Sequence, residues 1–335
     1  MSGGEPSSIK QFSRCAARVP VLSERCVPRE GVTFDFEVYG LVFQPGLLYF
    51  YTYGGTTMKI GVSSYSFGRY RRATGASLFD VCRKAKEIGF DAIEFITLDG
   101  ADPIAQAKEL RALCEELGLE ISAYTVGANL MTEAVESVVQ NLCYCVDVTE
   151  ALGANIMRHD VAYSLPVGVD WESAIEQMAP HIRRVTEYAK SKGIRTCTEN
   201  HGFIYQDSYR VKKLIDTVND ENYRWLIDLG NFLCTDESPL SAVRTAAPYA
   251  VHVHAKDFIF RPASSLDPEG FIRTRGGNFI RGTVAGHGVV PLYDCVKLLK
   301  DAGYEGTLSL EFEGLEDNIP ALELGYRTLR RLAEI

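Results

Sequence analysis

The chain has 335 residues, 46% of them hydrophobic, and a net charge of −9. That length allows a large buried core. The acidic balance, without any lysine- or arginine-rich stretch, argues against nucleic acid and anionic membrane as partners.

Residues 1–57 show no sustained periodicity and carry scattered Gly and Pro. We expect them to be an N-terminal extension, disordered or a misassigned start, with the natural chain beginning at Met58. A flexible arm, or an extra strand within the apolar stretch 41–53, is the alternative. No apolar run reaches the roughly 18 residues of a spanning helix. The N-terminus lacks a basic-then-apolar leader pattern, so the cytoplasm is the expected location.

From Met58 a regular alternation begins. Strands are predicted at 59–65, 92–96, 120–126, 155–161, 194–199, 223–228, 250–254 and 307–312. Helices are predicted between and after them, at 78–88, 104–117, 132–152, 171–192, 209–218, 240–247, 292–302 and 319–332. Several end at a glycine, which permits a left-handed stop. The strands are near-continuous apolar runs, as expected when both faces are covered. Eight such units over 58–335 predict an α/β fold, a (β/α)₈ TIM barrel. A doubly wound sheet would carry a Gly-rich turn after its first strand, and Ser63-Ser-Tyr-Ser-Phe-Gly68 is not one. The nine cysteines are scattered, odd in number and without a C-x-x-C pair, so they read as reduced packing residues.

The last four predicted strands each end on a metal-type ligand: Glu199, Asp228, His254 and Glu311. In a TIM barrel these ends meet at one mouth. Three carboxylates converging there demand a cation. An oxygen-rich set with one imidazole suits Mn²⁺ best, with Mg²⁺, Co²⁺ or Zn²⁺ as alternatives. His159, His201 and Lys256 are candidate substrate contacts. His159 could instead be a structural histidine, a proton shuttle or part of a second metal site, while Arg158 is expected to point into the helix layer. His252 reads as a buried structural residue. Glu94 is either a partner for a basic residue or a functional acid, and Asp257 orients a neighbour. The long stretch 258–288, with four arginines and six glycines, reads as a lid carrying arginines to substrate.

Residues 58–335 resemble the sugar phosphate isomerase/epimerase family with its xylose-isomerase-like barrel. The resemblance is carried by Tyr65-Ser-Phe, Gly89-Phe-Asp-Ala-Ile-Glu94, Thr198-Glu-Asn-His201, Ile227-Asp-Leu-Gly-Asn231, His252-Val-His-Ala-Lys-Asp257, Gly286-His-Gly-Val-Val-Pro291, Gly303-Tyr-Glu-Gly and Leu310-Glu-Phe-Glu-Gly314. It implies one divalent metal on Glu199, Asp228, His254 and Glu311, with the two glutamates also acting as acid and base. It implies an isomerase or epimerase of a sugar or sugar derivative, working through a metal-stabilised enediolate. Inosose dehydratases and C-glycoside-cleaving enzymes resemble the same barrel, so a lyase is the alternative. Endonuclease IV shares the fold and is a remote one. Asn231 stands where several epimerases have histidine; it can hydrogen-bond a substrate hydroxyl but carries no charge. The expected partner is a small-molecule sugar, and a homo-oligomer or a hetero-subunit partner is left open.

Overall fold

Short apolar runs, each followed by an amphipathic helix, form eight parallel strands that close on themselves. The structure is a computed structural model and describes residues 41–44, 47–50 and 58–335. The chain divides into two units, Met1–Gly55 and Thr56–Ile335. In the first, β1 (Leu41–Gln44) and β2 (Leu47–Phe50) pair as an antiparallel hairpin. These strands fall in the apolar stretch noted above. The remaining expectations for residues 1–57 lie outside the described residues.

The second unit is the barrel. Its strands are β3 (Ile60–Ser63), β4 (Ala92–Phe95), β5 (Glu120–Val126), β6 (Ile156–His159), β7 (Arg195–Glu199), β8 (Tyr223–Asp228), β9 (Ala250–Ala255) and, after an insertion, β13 (Leu308–Leu310). Pairing runs in chain order, and β13 closes the ring between β9 and β3. Helices α2 (Leu78–Ile88), α3 (Pro103–Leu117), α4 (Val135–Leu152), α5 (Trp171–Ser191), α6 (Ser208–Val218), α7 (Pro239–Ala246), α8 (Leu292–Asp301) and α9 (Asn318–Ala333) cover it. A short helix at Gly68–Thr74 (α1) was not expected, because its run GRYRRAT has no apolar periodicity.

The helix boundaries follow from local chemistry. Ser77 and Asp80 form a reciprocal capping box at the start of α2. Asp102 accepts from Ile104 and Ala105 ahead of α3, with Pro103 in the first turn. Gly118 ends α3 at φ 61, a conformation that costs glycine little.

One apolar core fills the space between sheet and helices. Trp225, Tyr223, Phe90, Phe95 and Met58 are among its largest buried side chains. The seven described cysteines are free, and six are buried. Among the described residues no helix is long and apolar enough to cross a membrane.

The stretch 258–288 is not an irregular lid. It folds as an antiparallel sheet of β10 (Asp257–Arg261), β12 (Phe279–Thr283) and β11 (Ile272–Arg273), in the spatial order β10-β12-β11. Its arginines are engaged elsewhere. Arg273 faces Asp267 at 3.7 Å, Arg275 pairs with Asp207 at 2.7 Å, and Arg281 lies over the Phe271 ring. Glycines and turn residues made this segment look like a loop, whereas cross-strand pairing organises it.

Candidate active site and metal centre

The C-terminal ends of β7, β8, β9 and β13 bring Glu199, Asp228, His254 and Glu311 together, each offering a ligand atom within 4.8 Å of the others. The alternation along each strand places these side chains on the barrel's inner face, and register aligns Asp228 with His254 and His254 with Ser309. Glu311 follows two residues after Ser309 on the same face.

Each ligand is held in a set orientation. Asp228 Oδ1 accepts the backbone N–H groups of Gly230 and Asn231, both at 2.8 Å, which leaves Oδ2 facing the centre. Gly230 is required here, because a Cβ would stand 2.8 Å from the Lys256 carbonyl oxygen. Asn200 ties β7 to β8, donating to the Asp228 carbonyl and accepting its N–H. His254 presents Nδ1 to the centre, while its Nε2 lies 2.7 Å from Glu94 Oε1. Glu94 also takes His252 Nε2 at 2.5 Å. Glu94 is thus the partner of two histidines, and this buried carboxylate fixes the ring of His254 from behind, as carboxylates do for metal-ligating imidazoles. Glu199 is held by Arg158 at 2.9 Å and by the Asn231 amide at 3.1 Å.

The charge balance of the centre is negative. Four carboxylates lie within 4 Å of the ring nitrogens of His254: Glu94 at 2.7 Å, Glu311 at 3.3 Å, Glu199 at 3.6 Å and Asp228 at 3.9 Å. Lys256 reaches Glu311 at 2.8 Å, Asp228 at 3.4 Å and Glu313 at 3.6 Å. Burial opposes ionisation of all these acids. Arg158 and His254 outweigh it for Glu199, and Lys256 and His254 outweigh it for Glu311, so both stay below the usual carboxylate range. For Asp228, burial wins, with help from Glu311 and Glu199, and its carboxyl is pushed up to about 7. Burial also disfavours the charged forms of His254 and Lys256, yet the surrounding acids raise both.

Asp228 Oδ2, Glu311 Oε2 and His254 Nδ1 meet at the centre, where Lys256 Nζ lies 2.8 Å from Glu311 Oε2 and 3.4 Å from Asp228 Oδ2, and His254 Nδ1 lies 3.3 Å from Glu311 Oε2. Carboxylates buried this close repel one another unless cations offset them. Their convergence beside Glu199 fits a divalent cation with oxygen and imidazole ligands.

The remaining expected contacts divide. Asn231 and Lys256 belong to the centre, joined to each other at 3.3 Å. His201 lies beside it, with Nδ1 3.0 Å from Asp160 Oδ1. His159 does not join them. Register puts Arg158 between Thr125 and Cys197 on the inner face, so His159 turns outward, where its ring packs against Tyr223 and Nδ1 meets the Asp160 carbonyl oxygen at 2.8 Å. This reverses the expected orientations of Arg158 and His159. Strand phase is set by pairing with neighbours, which the local sequence does not display.

Asp160 is the residue that sequence reasoning missed. It accepts from Arg158 at 2.6 Å and Tyr163 at 2.8 Å and faces His201. Burial opposes its ionisation, but Arg158 and His201 hold it down at about 2. The Arg-x-Asp spacing of Arg158 and Asp160 was the available signal.

Comparison with known proteins agrees with this architecture. Inosose dehydratase 2 of Bacillus cereus is 25% identical over 219 residues, covering 61% of this chain and 72% of that protein. The solved 3-keto-D-glucoside 4-epimerase of E. coli superposes with a TM-score of 0.62 at 16% identity, over 83% of this chain and 100% of that one. A xylose isomerase-like TIM barrel protein from Mycobacterium smegmatis, solved in complex with magnesium, gives 0.64 at 17% identity, over 83% and 97%. Residues 82–332, well over half of the chain, match the xylose isomerase-like TIM barrel family, and the protein belongs to that family.

Proposed function

We propose that this protein is a divalent-metal-dependent isomerase or epimerase of a sugar or sugar derivative, removing a proton next to a carbonyl. The observation that carries the reading is the convergence of ligand atoms from Glu199, Asp228, His254 and Glu311 within 4.8 Å of one another at the end of the barrel. The cation they would hold is Mn²⁺, with Mg²⁺ next; a relative solved with magnesium supports the ligand class. Bound there, it supplies Lewis-acid polarisation of the carbonyl and offsets the negative charge that develops as the proton leaves.

The residues divide the remaining work. Glu199 and Glu311 reach the centre from different strands, so a substrate seated between them meets a carboxylate on each side. One removes a proton and the other returns one, a contribution of about 10²–10⁴-fold. Each has a cation at its back, Arg158 for Glu199 and Lys256 for Glu311, which favours the anion that removes a proton; the carboxylate that returns one would first take it up from solvent. Lys256 and Asn231 stand where a substrate oxygen would arrive.

A second reading, elimination of water on the same scaffold, is favoured by the Asp160–His201 pair. Burial disfavours the charged form of His201, but the Asp160 hydrogen bond raises its pKa, and the half-exposed ring could protonate a leaving hydroxyl. The similarity to an inosose dehydratase points the same way.

The test is solvent-proton exchange in D₂O with Mn²⁺-loaded protein and a panel of ketoses, keto-glycosides and inososes. Exchange without loss of water supports the epimerase, and water loss supports the lyase. Asp228→Ala and His254→Ala are expected to abolish binding of about one Mn²⁺ by calorimetry. Exchange into none of the panel by folded, loaded protein would overturn the reading.

A further inference from the structure

The turn after β7 carries the most unusual backbone near the site. Gly202 and Phe203 are consecutive left-handed residues, at φ 80 and 66. Among the described residues, the other non-glycine positions with positive φ are Asn219 and Asp236, types that tolerate it. A phenylalanine does not, and Phe203 is also 44% exposed.

Several contacts hold this conformation. The Phe203 N–H donates to Gln206 Oε1 at 2.6 Å, and buried Gln206 donates to the carbonyl oxygen of Asn231 at 3.0 Å. Arg275, from the inserted sheet, donates to the Phe203 carbonyl and to Asp207. His201 and Tyr205 bridge the turn. The fold therefore maintains a strained residue and an exposed aromatic ring at once, and neither adds to the core. Such outliers concentrate at ligand clamps.

The surroundings indicate what the ring would touch. A Cβ on Gly202 would stand 3.9 Å from the Tyr163 ring, and Tyr163 is itself 50% exposed. Tyr163 and His201 both bond Asp160, and Arg158 joins Asp160 to Glu199. The Phe203 turn and Tyr163 thus both adjoin a polar floor of Asp160, His201 and Arg158 that reaches Glu199. Arg158 is committed to two carboxylates, so the floor offers no free cation for a phosphate or carboxylate.

We propose that Phe203, with Tyr163, is a specificity-determining platform for the C–H face of an uncharged, six-membered polyhydroxylated ring whose hydroxyl edge meets Asp160 and His201. This rests on the sugar-enzyme reading above and narrows it to ring-closed substrates. Such rings present an apolar face and a polar edge, the pattern that exposed aromatic side chains beside Asp160 and His201 would complement.

The experiment uses the full chain loaded with Mn²⁺ and two probes. Inosose is a six-membered cyclic ketone, and erythrulose is a four-carbon ketose too short to close a five- or six-membered ring. Phe203→Gly is expected to weaken inosose binding by calorimetry and raise its KM about three- to tenfold, with kcat within about twofold. Erythrulose parameters stay unchanged, Phe203→Tyr retains inosose affinity, and the melting temperature of Phe203→Gly holds or rises as the strain is relieved. Unchanged inosose binding in Phe203→Gly, equal weakening for both probes, or failure of Phe203→Tyr to retain affinity would overturn the platform alone. If wild-type protein neither binds nor exchanges inosose, the platform falls, while the sugar-enzyme reading falls only if the wider panel of ketoses and keto-glycosides is also left unexchanged.

Discussion

Asp228 shows how one buried carboxylate sets the behaviour of the centre. Folding raises its pKa from 3.8 to about 7. Below about 7 the group is protonated and cannot ligate; above it, the anion is available. Apparent Mn²⁺ affinity is therefore expected to fall as pH drops below 7 and, because the surrounding acids also raise the pKa of His254, to go on rising above 7 until that imidazole has lost its proton, which calorimetric titration from pH 5.5 to 8.5 would show. A flat profile would mean that Asp228 is not the limiting ligand. The same shift has a stability consequence. In the metal-free fold the unfolded chain releases this proton near pH 4 while the folded chain keeps it to about 7, so this group's contribution is lost as pH rises through that window. At this scale the clustering of Glu199, Asp228, His254 and Glu311 was legible, because acids and a histidine near the ends of successive apolar runs meet where those strands end side by side. Arg158 and His159 were not, because a one-residue change of phase reverses every side chain on a strand.

The inserted sheet shows what an element adds to a site it does not line. β10 begins at Asp257, whose carboxylate accepts four backbone N–H groups: Phe258 and Val290 on Oδ1, Gly286 and Gly288 on Oδ2, at 2.8–3.0 Å. The sequence suggested that Asp257 orients a neighbour; it organises the return of the whole insertion. Asp257→Ala strands those donors and is expected to cost about 3 kcal/mol or more, measured by urea unfolding of metal-free protein. A loss under about 1 kcal/mol would mean that water replaces the carboxylate. Arg275 then extends the sheet's influence to the turn after β7, through Asp207 and Phe203. These links were hidden in the sequence because they join positions 68 and 72 residues apart.

For the whole molecule, closure is the decisive feature. β13 pairs with both β9 and β3, so every barrel strand finds two neighbours within Thr56–Ile335. A chain beginning at Met58 is accordingly expected to fold with an unchanged melting temperature and to bind Mn²⁺ with unchanged affinity. An insoluble product or lost binding would assign the preceding residues a structural role. Closure also explains the electrostatics. Strands that end side by side bring like charges together, and the barrel retains them where a cation can offset their repulsion.

The architecture was readable before any coordinates, because the alternation of short apolar runs with amphipathic helices is local and repeats eight times. The positions of the four clustered residues were readable for the same reason: each lies near the end of such a run. Strand phase, the role of Glu94 behind His254, the Asp160 cluster and the left-handed Phe203 were decided in three dimensions. All four depend on register and on contacts between distant segments, which are cooperative properties of the closed barrel rather than of any stretch of its sequence.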